Sequence, residues 1–279
     1  MLGDLLGVQV SAETARRLAE QMGAWMDVAQ LVDTSALVVE PTDLPEPDQC
    51  VLSADGAMIS LTHKQWVEVR TVAIGEPVNQ GANGTSEGQE IHVDRLSYFS
   101  SLSGASTFLE LAAGEIRRRR VTQARQVCAV TDGAEWCQAF VDRYRPDAVR
   151  ILDFPHAAEH LSALLEACGQ TGARLPEQML SRCLHVLKHR GPTTLQRMAE
   201  RLSPESLQQK GIEVHVEYLR KRVALMQYPR FRAQGWPIGS GMVESANKLV
   251  VQARRVWTGH ALGARKRQFH AGAAPGRLQ

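Results

Sequence analysis

Apolar and polar positions alternate through CVLSADGAMISL, from Cys50 to Leu61, and that two-residue period predicts a strand with its side chains on opposite faces. The period returns in WVEVRTVAIGEPV, where Val67, Val69, Thr71 and Ala73 share one face and Arg70, Val72 and Ile74 the other. Residues 79–89, NQGANGTSEGQ, are rich in turn formers and predict a hairpin loop. IHVDRLSYFSSL then predicts a third strand. Helical spacing replaces alternation in STFLELAAGEIRRRR, with Phe108, Leu111, Ala112 and Ile116 on one face. QVCAVTDGAEW and AVRILDFPHAAEHL are short apolar runs that end on Asp132 and Asp153 and lead directly into helices. Hairpin-linked strands followed by alternating helices and strands predict an α/β fold, a mixed sheet covered by helices.

The flanks differ from this core. SAETARRLAEQMGAWM has Ala15, Leu18, Met22 and Met26 at helical spacing behind Ser11, a capping residue. With the preceding GVQV it reads either as the second half of a helix-turn-helix or as a plain amphipathic helix. PTDLPEPDQ, residues 41–49, reads as a linker. Residues 157–232 are helical in pattern, broken near Gly169–Gly172, Gly191-Pro192 and Pro204. The punctuation Trp236-Pro237-Ile238-Gly239-Ser240-Gly241 precedes a last helix that carries Glu244. The expected division is therefore 1–40, helical; 50–156, first part of the core; 157–235, an all-helical insertion; 236–254, the last helix of the core; and 255–279, a tail.

Composition narrows the class. With 279 residues, 44% apolar and 22% charged, the chain has the profile of a soluble globular protein able to bury a core. No apolar run nears the ~20 residues of a membrane span, and MLGDLLGVQV lacks the pattern of an export signal, so a cytoplasmic protein is expected. Cys50, Cys128, Cys137, Cys168 and Cys183 are widely spaced without a CxxC pair and read as reduced, buried thiols. The net charge of +2 is unevenly spread. No acidic residue follows Glu244, whereas Lys248, Arg254, Arg255, Arg265, Lys266, Arg267 and Arg277 do. A second basic cluster runs from Arg220-Lys221-Arg222 to Arg230 and Arg232. Such asymmetry fits a phosphate-backbone contact surface and equally fits a solvated helix face.

Three carboxylates stand where backbone geometry would fix them: Asp55 in the first strand, Asp132 at a strand end and Glu244 in the first turn of a helix. An Asp-Gly pair is a common turn, so Asp55-Gly56 and Asp132-Gly133 say little singly, but the order strand, strand, helix is more specific. Three converging carboxylates with no cation beside them repel one another unless a divalent metal binds. Two such ions ~3.5–4 Å apart can activate an attacking oxygen and stabilise a leaving one in phosphodiester chemistry. The carboxylates are then expected within roughly 10 Å of one another without metal. Asp153 and His156 sit three apart where a strand enters a helix; His156 could hold a phosphate or shuttle a proton, or the pair could be a cap and a half-buried histidine. His160 lies one turn on.

AVTDGAEW, VRILDFPHAAEHL and WPIGSGMVESANKLVVQAR together resemble the insertion-sequence DDE transposases of the ISKra family, relatives of the mutator-like transposases. The resemblance runs from about Leu5 to Arg254. It implies an RNase H-like core, with Asp55, Asp132 and Glu244 as the metal-holding catalytic triad, Asp153 and His156 as the DxxH signature, and residues 157–235 as the insertion domain. It further implies two Mg²⁺ ions, with Mn²⁺ as a substitute, double-stranded DNA at element ends and target, and a homo-oligomeric active complex. Arg220, Lys221, Arg222, Lys248 and Arg254 become DNA-contact candidates.

The chain departs from the family pattern at both ends. By the resemblance, further DNA-binding sequence is expected before a start that falls within a candidate helix-turn-helix, and VWTGHALGARKRQFHAGAAPGR stands where the family has a helical ending. Back-translated with permitted codons and read one base later, His260–Ala274 yields MHWARENVNSTLALR, which resembles that ending. A frame shift in the gene is the expectation, with a proline- and glycine-rich basic tail as the alternative; a mobile tail and weak or absent transposition are expected with it. The alternatives are a non-catalytic DNA-binding remnant of a transposase and another RNase H-like nuclease.

Overall fold

The computed structural model describes residues 46–60, 66–78, 91–170, 175–199, 210–247 and 269–271, with scattered positions between 11 and 25. Strands β1 (Gln49–Ser60), β2 (Trp66–Val78) and β3 (His92–Ser101) form an antiparallel meander. Two short helices follow, α1 (Ala105–Leu111) and α2 (Ala113–Arg118). Strand β4 (Gln126–Thr131) pairs parallel to β1, and after α3 (Glu135–Tyr144) β5 (Val149–Leu152) pairs parallel to β4. Strand β6 (Phe269–Ala271) lies antiparallel on β3 and, among the described residues, makes the sheet six-stranded in the order β5-β4-β1-β2-β3-β6. This is a mixed α/β sheet covered by helices, as the alternation of patterns implied.

The alternation seen in the sequence sorts each strand onto two cores. Cys50, Leu52, Val72, Ile74, Phe99 and Val127 pack on one face beneath α1, α2 and α3, with Phe108 and Phe140 fully buried there. Val51, Ala73, Cys128, Val130 and Ile151 pack on the other face. That second face is covered from later in the chain. Helix α4 (Phe154–Gln170) starts at the end of β5 and continues past Ala157 as one helix. It is followed by α5 (Met179–Arg190), α6 (Thr193–Ala199), α7 (Lys210–Lys221), a 3-10 turn (Val223–Met226), α8 (Tyr228–Ala233) and α9 (Gly241–Ala246). Leu187, Tyr228, Trp236, Met242 and Val243 fill the second face. A smaller core of Leu161, Leu164, Cys168, Cys183 and Ile212 ties α4, α5 and α7 together. All five cysteines are buried.

The break expected near Gly191 is a helix end: Gly191 follows α5 with φ +79, and its N–H returns to the Leu187 carbonyl at 3.1 Å. Ser11 Oγ accepts from the Thr14 N–H at 3.1 Å, the N-cap read from the sequence, although Leu18, Met22 and Trp25 are exposed. The tail expected to be mobile contributes β6; its other residues lie outside those described.

The β2–β3 register shifts between Ile74 and Glu76, at Gly75. A Cβ built on Gly75 would stand 2.5 Å from Val93 Cγ1 and 2.8 Å from Leu96 Cδ2. The irregularity lets two side chains of β3 lie across the backbone of β2. Gly75→Ala should therefore cost about 1–3 kcal/mol through overpacking, read as a lower urea midpoint; an unchanged midpoint would show that β3 yields freely.

Candidate active site

Two aspartates meet because two parallel strands run side by side. Ala54 of β1 pairs with Thr131 of β4, and Asp55 and Asp132 are the next residue on each. Val51 and Cys128 already face the second core, and a period of two carries Asp55 and Asp132 to that same face. Asp153 follows β5 in the same manner, and its N–H extends the ladder to the Thr131 carbonyl at 2.8 Å. The middle of β1 and the ends of β4 and β5 thus deliver Asp55, Asp132 and Asp153 to one side of the sheet, beneath the start of α4 and α9.

Each carboxylate is used differently. Asp153 is fully buried. Its Oδ1 accepts from the Ser240 N–H at 2.6 Å, and its Oδ2 meets His156 Nδ1 at 2.9 Å and the His156 N–H at 3.3 Å. Asp132 Oδ1 accepts from the Ala134 N–H at 2.8 Å, closing a tight turn. Asp55 Oδ2 accepts from Asn247 Nδ2 at 2.8 Å. Burial pushes the Asp55 carboxyl above its usual range and the Asp132 charge adds to this, while the Gly56 N–H, His156 and Asn247 oppose it.

His156 is the main correction to the electrostatic picture. The sequence reading left the carboxylates without a cation, but the hydrogen bond to Asp153 raises His156 to about 9, with the Asp153 and Asp132 charges adding and burial opposing. His156 is therefore an imidazolium at neutral pH, close enough to Asp55 and Asp132 to affect one and be affected by the other. Its folded pKa of about 9 lies above the ordinary value of 6.5. The stabilisation from the pair is complete below pH 6.5 and disappears as pH rises through about 9. Urea unfolding at intervals from pH 6 to 9.5 should show stability falling across that window; a flat profile would mean that Asp153 does not hold the charge.

Helix α9 packs on β1, β2 and β3, and Glu244 Oε1 has a 3.5 Å contact with Ser240 Oγ. Its side chain lines a cavity of about 500 Å³ with Lys188, Arg232, Phe154 and Trp236. Among the described residues, no group of three or more His, Cys, Asp or Glu side chains is placed to hold a metal ion. Asn247, which caps the C-terminus of α9 three positions after Glu244, is the residue that donates to Asp55. Asn247 was missed in the sequence; the spacing from Glu244 could have pointed to it.

The basic cluster divides. Arg220 and Lys221 are exposed and both pair with Glu217, at 2.7 and 3.4 Å. Arg222 turns inward, donating from Nη2 to the Gly133 carbonyl at 2.9 Å with its guanidinium carbon 3.8 Å from the centre of the Tyr218 ring. Lys248 and Arg254 lie outside the described residues. His160 is pushed below its ordinary value, by burial first and then by His215 and Arg222. Among the described residues no helix is long and apolar enough to cross a membrane.

Comparison with protein-family models gives no match for this chain, and comparison with curated proteins gives none.

Proposed function

We propose that this chain is the catalytic part of a DDE transposase with an RNase H-like core, cutting and rejoining double-stranded DNA at element ends and target in a homo-oligomeric complex. The observation that carries the reading is the placement of Asp55 and Asp132 on adjacent parallel strands, with a charged His156 beside them and the Glu244 helix docked on the same face. The element order supports the core assignment: an antiparallel meander, two parallel strands with a helix between, and a helical insertion before the last acidic helix.

The residues suit a hard divalent cation. Asp55 and Asp132 offer carboxylate oxygens, and the buried Asn247 Oδ1 beside them has no hydrogen-bond donor. In this reading Asp55 and Asp132 hold Mg²⁺, or Mn²⁺ in its place, and Glu244 is the third carboxylate. Two such ions, when bound, would supply charge neutralisation at the reacting oxygens of a phosphodiester. His156 holds a phosphate oxygen through the ring N–H that Asp153 does not occupy, and its raised pKa suits it to binding rather than to taking up a proton. Arg220 and Lys221, with Lys248 and Arg254, contact the DNA backbone.

One observation favours a second reading, a DNA-binding remnant without chemistry: Glu244 is turned to Ser240 and the neighbouring cavity. Incubating the purified chain with end-labelled element DNA and Mg²⁺ separates the two. Strand nicking that is abolished by chelation supports the transposase; salt-sensitive binding without nicking supports the remnant.

A further inference from the structure

The insertion reaches back to the Asp132 turn at two points. Tyr218, in the last turn of α7, donates its hydroxyl to the Asp132 carbonyl, and Arg222, just beyond the helix, donates to the Gly133 carbonyl at 2.9 Å. Both donors are themselves held. The Tyr218 ring lies flat on His160 of α4, with centroids 3.5 Å apart and planes 2° from parallel, and His160 Nδ1 meets His215 Nδ1 at 3.0 Å. Arg222 covers the opposite face of Tyr218 at 3.8 Å. Histidine, tyrosine and guanidinium thus form a three-layer stack whose two polar ends fall on consecutive peptide carbonyls.

The turn is shaped to receive this stack. Gly133 has φ +79, a conformation that side chains rarely adopt, and a Cβ there would stand 2.4 Å from Arg222 Nε. The next residue, Ala134, donates its N–H to Asp132 Oδ1 at 2.8 Å. Fixing the carbonyls of residues 132 and 133 therefore fixes the amide that orients the Asp132 carboxylate. Arg222 is more than a surface cation that happens to fold back, because the glycine removes the side chain that would block it and the tyrosine supplies a face for it.

We propose that Tyr218 and Arg222 are positioning residues for Asp132, a clamp through which the helical insertion sets the orientation of an active-site carboxylate. The importance of that carboxylate rests on the transposase reading; the clamp itself does not. Arg222 thereby leaves the set of residues that contact DNA phosphate and acts through Asp132.

Backbone amide exchange on the full chain tests the clamp without reference to activity. Arg222→Ala should raise exchange at Ala134 tenfold or more while Val130, in β4, keeps its wild-type rate. Arg222→Lys, which can still donate to Gly133, should recover part of that protection. Tyr218→Phe, which keeps the stack and loses the hydroxyl, should raise Ala134 exchange to a smaller extent. Unchanged exchange at Ala134 in Arg222→Ala overturns the proposal, and so does an equal rise at Val130, which would mean general loosening. Where the wild-type chain nicks DNA, Arg222→Ala should also raise the Mg²⁺ concentration for half-maximal nicking about tenfold at an unchanged melting temperature; an unchanged Mg²⁺ requirement overturns the proposal. If the wild-type chain does not nick at all, the transposase reading fails while the exchange result still decides the clamp.

Discussion

On the proposed transposase reading, Asp55→Asn and Asp132→Asn should each reduce Mg²⁺-dependent nicking on the order of 10³-fold or more, the scale seen when a member of a cooperating catalytic set is removed, without loss of fold. Each replacement keeps the shape of the side chain and removes the charge that a hard cation needs. The two changes should differ in stability. Asp55 is held above the usual carboxylate range by burial and by the Asp132 charge, so its ionised form is disfavoured in the folded chain. A group of that kind makes the native state less stable as pH rises through its folded pKa. Asp55→Asn removes this cost and should leave the melting temperature at pH 7.5 unchanged or higher. Asp132→Asn alters the turn in which Asp132 Oδ1 receives the Ala134 N–H, which an amide oxygen can also accept, so its stability should change little. Nicking, a melting curve and DNA binding measured on the same preparations separate chemistry from folding. Wild-type nicking by either variant would end the assignment of that residue, and a collapsed melting curve would mark its loss of activity as structural.

The sequence made the scaffold legible and left the wiring between its parts hidden. Strand alternation in residues 50–60 and 66–78 announces two buried faces, and both appear, because a period of two has one structural meaning once each face is covered. Asp132 and Asp153 were readable as strand ends since apolar runs stop at them. What pairs with them was not readable. Asn247 reaches Asp55 across 192 positions and Arg222 reaches Gly133 across 89, and no local pattern encodes contacts of that range. The charge on His156 was missed for the same reason in milder form: Asp153 is only three residues away, but its complete burial, which makes the bond strong, comes from the Ser240 loop. The basic run at residues 220–222 was read by composition, and composition does not register that Glu217 neutralises two of the three and Tyr218 draws the third inward. Strand β6 was hidden by the glycine-rich, helix-poor tail around it; a three-residue strand depends on an available edge, here that of β3, more than on its own propensity.

Asp153 is where the loop before Glu244, the DxxH histidine and the strand end are joined, so its removal should have the largest effect on stability. Asp153→Ala strips three contacts at once: the Ser240 N–H at 2.6 Å, His156 Nδ1 at 2.9 Å and the His156 N–H at 3.3 Å. Ser240 is itself buried, so its amide would be left without an acceptor away from water. His156 would keep its tendency to charge with no buried counter-charge in contact. Breaking a buried, hydrogen-bonded pair from one side costs about 3–5 kcal/mol; the half-exposed His156 places the result toward the lower figure, since solvent screens its share. Asp153→Asn isolates the charge. Its amide oxygen can still accept from Ser240, so the loss should be smaller, about 1–3 kcal/mol, while the counter-charge is gone as completely as in the alanine variant. In both variants His156 should titrate well below its wild-type value of about 9, approaching 6.5, and the fall in stability between pH 6.5 and 9 should flatten. Urea unfolding at pH 6, 7.5 and 9.5, with the His156 ring followed by NMR, measures both effects. A His156 that still titrates near 9 in the absence of Asp153 would show that Asp132 and Glu159 supply its shift. A stability loss under about 1 kcal/mol in Asp153→Ala would show that the Ser240 loop, and with it the Glu244 helix, is held on the sheet by its apolar contacts through Trp236, Met242 and Val243.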